Sequence, residues 1–119
     1  MTTINLAEKF GLFSDYWHPR VIGEVNGQDI KIAKISDAFI WHSYENEDEL
    51  FIVIKGKLMM DFRDKTEVVQ PGEMLLVPKG IEHRPRTEEE TWIMMIEPKT
   101  TVNTGAVDNE LTRKELERI

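Results

Sequence analysis

Pro71-Gly72-Glu73-Met74-Leu75-Leu76-Val77-Pro78-Lys79-Gly80-Ile81-Glu82-His83 is the stretch that decides how the chain folds. Two turn signals, Pro71-Gly72 and Pro78-Lys79-Gly80, bracket Met74–Val77, an apolar run too short for a helix and suited to a strand. His83 follows the second turn, where the chain enters another strand. A comparable block lies upstream. Trp41-His42-Ser43-Tyr44-Glu45-Asn46-Glu47-Asp48-Glu49 runs into Leu50-Phe51-Ile52-Val53-Ile54-Lys55 and stops at Gly56. On a strand, residues i and i+2 point to one side. His42 and Tyr44 therefore share a face, and Glu49 shares the apolar, interior face of Phe51 and Val53. Two imidazoles and one carboxylate form a ligand set that holds a divalent transition ion and leaves coordination positions open.

Outward from these blocks the pattern is one of short strands. Val21–Val25, Asn26-Gly27 and Gln28–Ile35 read as a β-hairpin, because Asn-Gly accepts the two positive φ angles of a type I′ turn. Further strands are expected at 38–42, 49–54, 58–62, 67–69, 74–77 and 91–97, with breaks at Gly56, Asp64-Lys65 and the acidic Glu88-Glu89-Glu90. Many short, closely spaced strands in one small domain predict a barrel or sandwich. The ends differ. Asn5 can cap a short helix with Glu8 three residues on and Gly11 as its stop. Glu110 to Arg118, carrying Leu111 and Leu116, reads as a short helical tail.

The 119 residues are expected to form one domain, with a core over about 20–98, an N-terminal arm at 1–19 and a tail at 99–119. Fifteen basic against 22 acidic residues give a formal net charge of −7 with no basic stripe, which argues against nucleic acid and anionic membranes as partners. The chain has no cysteine, so thiolate metal sites, disulfides and a cysteine nucleophile are excluded. It shows neither a secretory signal nor an apolar run long enough to span a bilayer, and a cytoplasmic location is expected.

The two blocks resemble the signature motifs of the cupin superfamily, G-x5-H-x-H-x3,4-E-x6-G and G-x5-P-x-G-x2-H-x3-N. His42, Glu49 and Gly56 match the first; Gly72, Pro78, Gly80 and His83 match the second at every spacing. The blocks span positions 36–87, and the strand pattern extends the likeness to about 20–98. Ser36 stands in place of the first glycine, Thr87 in place of the final asparagine, and Tyr44 in place of the second histidine ligand. The resemblance implies an all-β double-stranded β-helix, the jelly-roll barrel of cupins. It implies that His42, Glu49 and His83 bind Fe, Mn, Ni, Co or Zn. Tyr44 is then a fourth ligand, a partner of metal-bound water, or a space filler, since a phenol ligates poorly until ionised.

Two classes of function follow. One is a metal-dependent enzyme acting on a small polar metabolite, of dioxygenase, isomerase or lyase type, with Tyr44 or Glu82 moving protons and Tyr44 the better placed. The other is a non-catalytic small-molecule-binding barrel in which the histidines hydrogen-bond Glu49 and the metal site is degenerate or empty. Candidate pocket residues are Trp41, Phe51, Met60, Trp92 and Met94, with Arg84 available to an anionic substrate group or to a surface ion pair. His18, in a loop beside a proline, is not expected to be a ligand. Small cupins resembling this chain commonly pair, so a homodimer is expected, with residues 1–25 or the tail after Pro98 as contact segments.

Overall fold

The β-branched and apolar residues of Ile30–Ile35 and Ile93–Ile96 favour extended backbone, and these stretches lie in the two strands that organise the molecule. The computed structural model describes residues 1–119. It contains one helix, α1 (Leu6–Phe10), and seven strands: β1 (Arg20–Val25), β2 (Gln28–Ala38), β3 (Glu49–Lys55), β4 (Leu58–Phe62), β5 (Thr66–Val69), β6 (Met74–Val77) and β7 (His83–Pro98). All strand pairs are antiparallel. The main path runs β1-β2-β7-β3-β6, and β4 pairs with both β5 and β7. The fold is therefore the expected all-β barrel of cupin type. No helix is long and apolar enough to cross a membrane.

β7 is the shared element. Its 16 residues pair with β2 along most of their length, with β4 at His83–Arg86 and with β3 at Trp92–Ile96. The acidic triplet expected to break the chain lies inside this strand. Ile35 pairs with Thr91 and Asp37 with Thr87, so Glu88, Glu89 and Glu90 stand opposite Ser36 alone. That is a bulge: extra exposed residues let the strand bend from one sheet into the other without ending. Asp37 takes the opposing strain with a φ of 69°, and its Oδ1 accepts a hydrogen bond from the Ala38 N–H (2.9 Å).

Two further expectations are corrected. The strand expected at 38–42 is not regular. β2 ends at Ala38, and His42 rejoins the sheet only through an isolated bridge to His83. The tail is not helical either. Asn109 Oδ1 accepts from the Leu111 N–H and Thr112 Oγ1 from the Asn109 N–H, local bonds that compete with a helical turn. The last residues instead pair with the edge of β1, where Val21 N–H donates to Glu117 O (2.9 Å) and Ile119 N–H to Val21 O (3.0 Å). The N-terminal helix forms as expected, capped by Asn5 Oδ1, which accepts from Glu8 N–H (3.0 Å). It lays Phe10 on Trp92 at a ring distance of 4.7 Å, covering the outer face of β2 and β7.

The barrel interior is filled by Ala33, Ile35, Phe51, Val53, Leu58, Met60, Val69, Val77, Ile93 and Met95. Complete burial of each large aliphatic side chain is worth about 1.5–3 kcal/mol, so these inward rows supply much of the driving force. The β3–β4 turn is pressed against the exit of the β7 bulge. Gly56 has a φ of +87°, and a Cβ there would sit 2.5 Å from Thr91 Oγ1 and 2.8 Å from Glu90 O. Gly27 in the β1–β2 turn also has positive φ (+78°) but open space around it. Gly56→Ala should therefore destabilise the fold by about 2 kcal/mol or more, and Gly27→Ala by about 1 kcal/mol, in urea unfolding. Equal losses would show that the contact with Thr91 is not a constraint.

Candidate metal centre

Two backbone hydrogen bonds bring the blocks together. His42 N–H donates to His83 O (3.0 Å) and His83 N–H to His42 O (2.9 Å), while Gly80 N–H, at the turn before β7, donates to Tyr44 O (2.7 Å). The bridge sets the two imidazoles side by side, with ring centroids 4.4 Å apart. Glu49 opens β3 opposite Val77 and points inward with Phe51 and Val53, as alternation predicts. One ligand atom from each of His42, Glu49 and His83 lies within 4.8 Å of the others, and all three residues are buried.

Both rings are fixed through the same atom. His42 Nδ1 bonds Ile40 O and His83 Nδ1 bonds Ile81 O, each at 2.9 Å. A carbonyl only accepts, so each Nδ1 carries the proton and each Nε2 presents a lone pair, the orientation that suits a metal ligand. His83 Nε2 lies 3.1 Å from Glu49 Oε1. Burial, reinforced by His83, lowers the His42 pKa to about 4. Burial lowers that of His83 as well. Burial raises Glu49 to about 7. In the metal-free site, then, both rings are neutral near pH 7, and the Glu49 carboxyl can donate its proton to the free Nε2 of His83. Paired lone pairs and a displaceable proton are what a divalent ion would replace. The donor set fits a metal.

Tyr44 is buried beside the triad, 5.4 Å from the His42 ring and 6.1 Å from that of His83 by centroid. Its hydroxyl donates to Asn103 O of the tail at 3.0 Å. Burial and the neighbouring Glu49 charge push its pKa upward, so the phenol stays protonated. A neutral hydroxyl whose proton is committed to a carbonyl is a wall and a tether for the tail.

A cavity of about 40 Å³ adjoins the triad, room for roughly three waters. Trp17, Phe39, Phe51, Ile93, Met95 and Leu116 form its apolar wall, and His42, Glu49, Lys31, Glu97 and Asn103 are its polar groups. Of the pocket residues expected from sequence, Phe51 lies here. Met60 is sealed in the core on β4. Trp92 and Met94 face outward, because the inward row of β7 is Thr91, Ile93, Met95 and Glu97. Trp41 lies under the guanidinium groups of Arg63 (3.8 Å) and Arg84 (5.2 Å), away from the cavity. Arg84 is held by Asp61 Oδ2 at 2.9 and 3.1 Å, the ion-pair alternative, though with a partner on β4. His18 bonds Asp15 (3.1 Å) in the N-terminal arm and takes no part in the triad.

Lys31 and Glu97 are charged residues of the cavity that the sequence analysis does not single out. Lys31 Nζ donates to Glu97 Oε1 (2.9 Å) and approaches Thr101 O (3.4 Å), with both side chains almost fully buried. Lys31 falls in step with Ala33 and Ile35, and Glu97 with Ile93 and Met95, which puts two opposite charges inside the barrel.

The Cupin domain family model matches residues 29–99, the segment holding the triad and both of these residues. YdbB, an uncharacterized protein of Bacillus subtilis (strain 168), is 40% identical over 79 residues, covering 66% of this chain and 70% of that protein. A cupin-2 domain containing protein from Shewanella frigidimarina NCIMB 400 is 47% identical with a TM-score of 0.80, over 81% of this chain and 94% of that one. Protein NMB1881 from Neisseria meningitidis is 31% identical with a TM-score of 0.75, over 82% of this chain and 99% of that one. With both motif blocks, the antiparallel barrel and a family match across more than half of the sequence, this chain belongs to the cupin family.

Proposed function

We propose that this protein is a metal-dependent cupin in which His42, Glu49 and His83 hold a divalent transition ion, and which acts on a small polar molecule at the barrel cavity. The observation that carries the reading is the pair of imidazoles whose Nδ1 atoms are anchored to carbonyls while both Nε2 atoms and Glu49 Oε1 converge. A bound ion there would supply a Lewis acid with positions open to a substrate oxygen. The chain's own contribution is a dry, mostly apolar wall that excludes bulk water, and a carboxyl that gives up its proton when the site fills. A second reading, binding without turnover, is supported by Tyr44, whose phenol stands where the family motif has a ligand and donates elsewhere.

Elemental analysis of untagged protein separates the metal-dependent reading from a metal-free barrel. Near-equimolar iron, manganese, nickel, cobalt or zinc is expected, with loss of stoichiometric metal in His42→Ala and His83→Ala. Glu49→Gln should weaken affinity by at least about tenfold, because it removes an anionic ligand. Full metal retention in all three variants would overturn the assignment.

The pH dependence has a definite sign. The ion must displace the Glu49 proton, and that carboxyl titrates at about 7. Metal affinity should rise with pH up to about 7 and level off above it, falling by about tenfold per unit below. Chelator competition between pH 5.5 and 8.5 measures this. A flat profile would show that Glu49 is ionised before the metal arrives.

A homodimer belongs to the same proposal, on a different surface from that first expected. The tail pairs with its own β1, and the arm covers its own β2. Two outward cross-strand rows, Ile96-Leu50-Leu76 and Met94-Ile52-Met74, remain on β7, β3 and β6, with Leu76 and Met74 exposed. These rows carry no charge on a chain of net charge −7, so two copies can meet there without like-charge repulsion. Light scattering at micromolar concentration should give twice the chain mass, and Met74→Glu with Leu76→Glu should give the single chain. A monomeric parent would refute the dimer.

A further inference from the structure

Glu97 is the one cavity group whose chemistry is incomplete. It projects inward from β7 in step with Ile93 and Met95, is 2% exposed, and lines the same cavity as His42 and Glu49. Its Oε1 accepts from Lys31 Nζ at 2.9 Å. Its Oε2 is buried with no hydrogen-bond partner. A buried carboxylate oxygen of this kind is costly unless a proton donor or a cation reaches it. The cavity thus holds two buried carboxyl groups and a single lysine. A low-dielectric interior tolerates that only with a shared proton or a cation.

We propose that Glu97 is the fourth protein group of the metal centre, its free Oε2 reaching the ion across one water, in the role that Tyr44 leaves open. This inference rests on the metal reading above. It differs from the sequence motif in drawing the extra group from the far end of β7 and not from the first block. Lys31, bonded to Oε1, competes with the ion for the charge of this carboxylate.

The test is Co²⁺ binding to metal-free protein, followed by chelator competition and by the visible absorption bands of the bound ion. Wild type, Glu97→Gln and Glu89→Gln are compared. Glu89 is an exposed residue of the bulge, so its variant controls for the loss of one unit of charge. Affinity should fall by at least about tenfold in Glu97→Gln and stay unchanged in Glu89→Gln. Unchanged bands with weakened binding are expected of the water-bridged form; bands that shift in Glu97→Gln would overturn it in favour of direct ligation. Equal affinity and spectra in wild type and Glu97→Gln would overturn the inference while leaving the triad standing. Failure of wild type to bind Co²⁺ would overturn the metal reading itself. Should Glu97→Gln not fold by circular dichroism, Lys31→Met takes its place. It releases Glu97 from its competing cation, so Co²⁺ should bind more tightly, and equal or weaker binding would overturn the inference.

Discussion

The pair of backbone hydrogen bonds between His42 and His83 is the contact on which the rest of the structure depends. It joins residues 41 positions apart at the point where the β2 ladder has already ended and β7 has just begun. Together with Phe39 N–H to Pro85 O (2.9 Å) and Gly80 N–H to Tyr44 O (2.7 Å), it fixes the register of the segment that follows β2. With it, two side chains from opposite halves of the sequence acquire a common face and a common depth. The Nδ1 bonds to Ile40 and Ile81 repeat one local geometry on both sides, each ring reaching back to the carbonyl two residues earlier. A single bridge thereby sets position, tautomer and orientation for both imidazoles.

Burial sets the character of the site. The same exclusion of water that makes the barrel core favourable raises the Glu49 carboxyl to about 7 and lowers the imidazole of His42 to about 4. Both shifts favour neutral groups, and in an empty low-dielectric pocket neutrality is the stable arrangement. The Lys31–Glu97 pair is the exception, a charge pair retained among apolar neighbours. Buried pairs of this kind are weak sources of stability, since desolvation offsets most of the attraction. Their presence in a small domain points to a role at the cavity.

Much of the barrel was legible in the residues. The period-two stretches, Asn26-Gly27 and the two proline–glycine turns gave strands and hairpins close to those observed, because each is a local backbone preference. The triad was legible for a different reason: its spacing matched a family pattern. What escaped the reading is non-local. Glu88-Glu89-Glu90 looks like a solvated turn until its partner strand is known; opposite Ser36 alone, it becomes a bulge. Glu110 to Arg118 has helix-forming residues, but the free edge of β1 and the side chains of Asn109 and Thr112 supply better partners for its backbone. Trp92 and Met94 were placed inside because neither neighbour in the sequence reveals which face of β7 is inward. Lys31 alternates with Ala33 and Ile35, whereas Glu97 shares the ambiguity of its strand, since Ile93-Met94-Met95-Ile96 is apolar on both faces.

The continuity of β7 through its bulge bears on how the molecule comes apart. One strand carries His83 at its beginning and Glu97 near its end, and it hydrogen-bonds to β2, β3 and β4 between them. β2, β3 and β4 cannot leave β7 without breaking a ladder of the strand that carries these candidate ligands. Opening should thus be global and not piecemeal, with slow amide exchange shared across all four strands. An ion held by residues of this strand would not be released by local fraying of the sheet edges.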